Sequence, residues 1–173
     1  MGLVESNPAD DVKRPKARQP APRGLELEEL RRLLDVIPDT PGGKRDRAII
    51  LIAVLAGLRR REILSLRAGD LTRNGAVYYT VRVKGGQERR RELPAPAFNA
   101  IVDALEAQGR PLESLAPGER IFDIAHQTYY AYLRKHARRA GLAGLKPHDL
   151  RNTAAKLRRT NGASIEDVSA FLG

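Results

Sequence analysis

The chain has 173 residues, and 31 Lys and Arg against 21 Asp and Glu give it a net charge of +10. That length suffices for one domain, burying about 70% of the surface its unfolded form exposes. With 0 Cys and 3 His, a disulfide framework, a thiolate metal site and a Cys nucleophile are all excluded.

Residues 1–23 read as an extended basic linker. Pro8, Pro15, Pro20 and Pro22 disfavour helix, and few apolar residues are present to bury. One domain is expected over residues 24–173. Leu27, Leu30, Leu34 and Ile37 recur at helical spacing, with Glu26, Glu28 and Glu29 where a helix dipole favours anions. Pro38 and Pro41-Gly42-Gly43 should end that helix. From Lys44 to Gly57 the chain opens with charge and then runs Ala48 to Ala56 without a polar break, which predicts a helix in the middle of a core. A short helix over Arg60 to Leu66 follows.

The period then becomes two. Val77, Tyr79, Val81 and Val83 alternate with Tyr78, Thr80 and Arg82, as in a half-buried strand. Gly85-Gly86 can turn the chain into a second, charged strand over Gln87 to Leu93. Phe98, Ile101, Val102 and Leu105 form a helical stripe, and Ile121-Phe122 suggests a third short strand. An amphipathic helix from His126 to Ala140 turns Tyr129, Leu133 and Ala137 inward and Arg134, Lys135, Arg138 and Arg139 outward. Pro147 opens a helix through Leu150, Ala154 and Leu157, closed by Asn161-Gly162. Ser164 can cap a last helix carrying Val168 and Leu172. The pattern predicts a mainly α domain with a small antiparallel sheet. No apolar run approaches the ~20 residues that span a bilayer, and a cytoplasmic protein is expected.

Of the basic residues 24 are Arg and 7 Lys. Guanidinium groups grip phosphate oxygens two at a time, so this bias suits a phosphate-rich partner, although a GC-rich genome also favours Arg. Three clusters could carry chemistry. Arg59-Arg60-Arg61-Glu62 follows the most hydrophobic helix, where Arg59 could equally serve that helix's last carbonyls. Lys84 sits at a hairpin tip, where it could reach into a groove or simply guard a strand edge. His148 and Arg151 share one face of a helix's first turn, a natural anion cradle or an ordinary surface pair. Paired carboxylates for two metals and a Gly-rich nucleotide loop are both missing from the sequence.

Taken in order, these clusters resemble the catalytic domain of the tyrosine recombinase (phage integrase) family. The resemblance is carried by Ala56-Gly57-Leu58-Arg59-Arg60-Arg61-Glu62-Ile63-Leu64-Ser65-Leu66 with Asp70-Leu71, by Val81-Arg82-Val83-Lys84-Gly85-Gly86, and by His148-Asp149-Leu150-Arg151-Asn152-Thr153-Ala154. Val168 to Gly173 fits the family's run into its next motif, so nearly the whole chain takes part.

The resemblance implies site-specific recombination of double-stranded DNA through a 3′-phosphotyrosyl link, without metal, ATP or other cofactor. Arg59 and Arg151 would grip the scissile phosphate, His148 would donate or shuttle a proton, and Lys84 would protonate the leaving 5′-oxygen. Glu62 and Asp70 would support Arg59 and nearby backbone. Arg82, Arg89, Arg90, Arg91, Arg134, Arg138 and Arg139 are candidates for DNA phosphates, with surface solvation as the alternative. The family's nucleophilic Tyr would follow Gly173, whereas all five Tyr precede His148. The expectation is therefore a fragment that does not cleave DNA and is monomeric, from a protein that is tetrameric on DNA. The competing readings are a basic binding module without chemistry, a structural or interaction protein whose Arg content is codon-driven, and a type IB topoisomerase.

Overall fold

The computed structural model describes residues 23–82 and 88–173. The linker assigned to residues 1–23 therefore lies outside them apart from Arg23, as do Lys84 and the Gly85-Gly86 turn. In chain order come α1 (Leu27–Asp35), α2 (Pro41–Leu55), α3 (Arg60–Ser65), β1 (Leu71–Asn74), β2 (Ala76–Arg82), β3 (Glu88–Glu92), α4 (Ala95–Glu106), α5 (His126–Arg139), α6 (Pro147–Thr160) and α7 (Ile165–Leu172). The architecture is mainly α with one antiparallel sheet in the order β1-β2-β3.

The apolar run makes α2 the centre of the molecule. Ala48, Ile49, Ile50, Ile52, Ala53 and Val54 are all buried, and both α4 and α6 pack on the helix. Each fully buried Ile contributes about 2 kcal/mol of hydrophobic stabilisation. One polar pair interrupts this core: His136 of α5 meets Asp46 of α2, with Nε2 and Oδ2 3.0 Å apart. Arg45 pairs the other carboxylate oxygen at 2.7 Å, so the buried charge is compensated.

Three local expectations are corrected. Pro41 begins α2 instead of ending α1: Thr40 is the cap, its hydroxyl accepting from the Gly43 N–H at 3.1 Å, and a Pro at the first helical position lacks only an N–H that would be free there anyway. Ile121-Phe122 is not a strand. Both side chains are buried, but the backbone beside them forms an isolated bridge between Arg67 and Arg120, with the Ile121 N–H donating to Leu66 O at 2.9 Å, and no ladder extends from it among the described residues. The third strand is β1, joined to β2 through Gly75 at φ +71° and pairing Leu71 with Tyr79.

The sheet sets two faces. Tyr79 and Val81 of β2 lie opposite Arg91 and Arg89 of β3, respectively, and these four border one small cavity. On the other face Arg90 stacks over Tyr78, 4.0 Å from the ring centroid. The ends of α2 and α7, the start of α3 and the first turns of α6 meet beside Tyr79.

Candidate active site

The first half of the site is built by a reversal after α2. Gly57 adopts φ +64°, and a Cβ there would lie 2.7 Å from Cε1 of Phe171. A side chain is excluded on both counts. The turn delivers Arg59 as the residue that caps α3. One turn on, Glu62 holds it twice: Oε2 accepts the Arg59 N–H at 2.6 Å and Oε1 accepts its guanidinium at 3.1 Å. Arg59 thus starts the following helix instead of finishing the preceding one.

The second half comes from α6. Pro147 opens the helix, and Asp149 Oδ2 accepts the Lys146 N–H at 2.8 Å. Leu150, Thr153 and Ala154 anchor it in the core. Arg151 is itself buried, yet its head reaches the reversal: Nη1 donates to Gly57 O at 2.5 Å and lies 4.0 Å from Glu62 Oε2. Glu62 is therefore shared between the two arginines. His148 is exposed, one turn before Arg151. Arg59, His148 and Arg151 line one open groove of about 420 Å³ with Arg60, Arg61, Tyr130, Lys146 and Pro147.

The C-terminal end of α7 closes the inner side. Arg59 Nη2 donates to Gly173 O at 2.7 Å, Arg151 Nη2 to Leu172 O, and Arg91 to Phe171 O and Ala170 O. Three guanidiniums satisfy carbonyls that a helix end leaves without intrahelical partners. The Phe171 ring lies between Arg91 and Arg158, whose guanidinium carbons are 5.2 and 3.4 Å from its centroid. Four guanidiniums (Arg59, Arg89, Arg91, Arg151) and the single carboxylate of Glu62 line this inner cavity. Burial lowers the Arg151 pKa, with Arg59 acting the same way and Glu62 opposing. Burial also lowers that of Arg91, opposed by Tyr79. Guanidiniums stay charged regardless, so this is a partly desolvated positive cluster around a cavity of about 20 Å³, room for about one water.

Other sequence candidates lie elsewhere. Asp70 accepts the Arg67 N–H at 2.8 Å, and with Arg82 it borders a separate groove; it holds backbone next to Arg67, not Arg59. Arg82 is exposed and 3.4 Å from Glu88. Arg90 points away from the cluster, its guanidinium 3.4 Å from the Thr72 hydroxyl. Arg134 and Arg138 line a neighbouring groove, and Arg139 is exposed. Tyr130 and Lys146 were not singled out from sequence. Tyr130 could have been: it precedes Arg134 and Arg138 at four-residue steps, on one stripe of α5.

The phage integrase family model matches residues 23–173, and the chain belongs to that family. It is 32% identical over 168 residues to tyrosine recombinase XerA of Thermococcus onnurineus, covering 95% of this chain and 58% of that protein. It is 31% identical over 178 residues to tyrosine recombinase XerC of Shewanella amazonensis, covering 99% and 59%. Among solved structures, XerH site-specific recombinase bound to its difH substrate in a pre-cleavage complex superposes with a TM-score of 0.69 at 25% identity, over 88% of this chain and 47% of that one. The chain thus spans under two thirds of the length of these proteins. Among the described residues no helix is long and apolar enough to cross a membrane.

Proposed function

We propose that residues 24–173 form the catalytic domain of a site-specific recombinase that breaks and rejoins double-stranded DNA. The observation that carries this reading is the convergence of Arg59 and Arg151 on one carboxylate, at 3.1 and 4.0 Å from Glu62, with His148 lining the same groove. The two guanidiniums would bind the non-bridging oxygens of one phosphodiester and stabilise the charge that builds on them in a pentavalent transition state.

In the proposed reaction a Tyr hydroxyl oxygen bonds to phosphorus as the bond to the 5′-oxygen breaks. The Tyr proton leaves to solvent, directly or by way of His148 as shuttle, and the 5′-oxygen gains one from Lys84 in this reading, with His148 as a further donor. The phosphotyrosyl link stores the diester, and the reverse attack by a 5′-hydroxyl rejoins a strand. The whole protein would assemble as a tetramer on DNA. These 173 residues, whose Tyr all precede His148, would be monomeric and would form no covalent adduct with a suicide substrate.

The test is substitution of Arg59 or Arg151 by Ala in the whole protein. Strand cleavage should disappear, with bulk DNA affinity falling only severalfold, the loss of about one phosphate contact. Parallel losses of cleavage and affinity would instead identify a basic binding module.

A further inference from the structure

The groove at Arg59, His148 and Arg151 is continuous with a second one, of about 460 Å³, running along α5 past Arg134 and Arg138 to the loop at residues 143–147. Tyr130 lines both. It is among the few large apolar side chains left exposed, with half its surface in solvent. Its position is not loose. Buried Tyr129 abuts it edge-on, with ring centroids 6.2 Å apart, and the Arg60 guanidinium stacks over it at 4.6 Å. A ring fixed before binding loses little freedom on contact, and an exposed aromatic flanked by cations on a charged groove fits a ligand with alternating apolar and anionic parts.

Resting on the recombinase reading above, we propose that Tyr130, held by Arg60, is a platform against which the deoxyribose next to the scissile phosphate packs. A DNA strand presents anionic phosphates separated by apolar sugars. Arg59 and Arg151 supply one phosphate site, and Arg134 and Arg138 supply cations farther along α5. The ring between the two grooves meets what lies between the phosphates. The contact fixes the path of the strand into the site and is apolar, so it works without neutralising charge.

Binding of a labelled mixed-sequence duplex of about three helical turns to this chain, across a salt series, tests the proposal. Tyr130→Ala should weaken binding about tenfold, the scale of burying roughly 55 Å² of apolar surface, while the slope of log affinity against log salt stays that of the unsubstituted chain. Tyr130→Phe should bind as the unsubstituted chain does, and melting temperatures of both variants should confirm the fold. Unchanged affinity for Tyr130→Ala would overturn the platform alone. So would a flattened salt slope, or an equal loss in Tyr130→Phe, which would assign the contact to the hydroxyl. Absence of salt-dependent binding by the unsubstituted chain would overturn the DNA reading and the platform with it.

Discussion

Glu62 does three jobs with one carboxylate: it accepts the Arg59 N–H, pairs the Arg59 head and faces Arg151. Truncation to Ala removes the acceptor at the start of α3, which costs about 1 kcal/mol in a typical helix. It also removes the carboxylate partner of the Arg59 head, which is half exposed at 50% and is left with its bond to Gly173 O. Glu62→Ala should therefore lower the melting temperature by a few degrees while reducing cleavage by the whole protein by a much larger factor. Equal, small effects on both would mean that Arg59 keeps its place unaided. At this scale the sequence was legible through motifs: Arg59, Glu62, His148 and Arg151 could be picked out by their order along the chain. Their convergence was implied by the family resemblance alone, because residues this distant are brought together only by packing of α2, α6 and α7. Tyr130 carries only a weak signal in sequence, its four-residue steps to Arg134 and Arg138; its place between two grooves gives that stripe meaning.

Among elements, the α2–α3 reversal and the end of α7 are sterically coupled through Gly57 and Phe171. Gly57→Ala forces a side chain into the left-handed region, costing about 1–2 kcal/mol, and drives its Cβ against the Phe171 ring. In a double-mutant cycle followed by chemical denaturation, Gly57→Ala should cost less when Phe171 is already Ala. The residual cost is the backbone's share and the difference is the steric share. Strict additivity would show that the ring yields freely. Helices here were easier to read than strands. Their period of 3.6 runs over many residues, as in α5, where Tyr129, Leu133 and Ala137 face inward as expected. β1 has a single apolar residue in Leu71-Thr72-Arg73-Asn74 and lies at the sheet edge, so no alternation announces it. The Asn74-Gly75 pair was the available turn signal. Pro41 is compatible with either the end of one helix or the first position of the next, and the Thr40 cap decides for the second.

Across the whole molecule, the tyrosines set an alkaline limit. Burial raises the pKa of Tyr79, Tyr129 and Tyr132 above the usual phenol value of 10.0. The folded state holds these protons more tightly than the unfolded chain, so unfolding releases protons once the pH passes that value. Their contribution to stability is complete below pH 10.0 and is lost progressively above it. Melting temperatures taken from about pH 8 upward should stay level and then fall as ordinary phenols ionise. A flat profile well into that range would place the rings in water.

The point where the polypeptide joins the domain has its own consequence. The Leu25 N–H donates to the Thr153 hydroxyl at 2.9 Å, that hydroxyl donates to Asp149 O at 2.8 Å, and Glu26 pairs Lys156. Gly24 lies against the backbone of Asn152. The segment at residues 24–26 is thus stitched onto α6 before α1 has begun, within a turn of Arg151. Displacement of Gly24 or Leu25 would therefore act directly on the helix that carries Arg151. Trimming the chain past Leu25 would slacken that helix first and the rest of the core only afterwards.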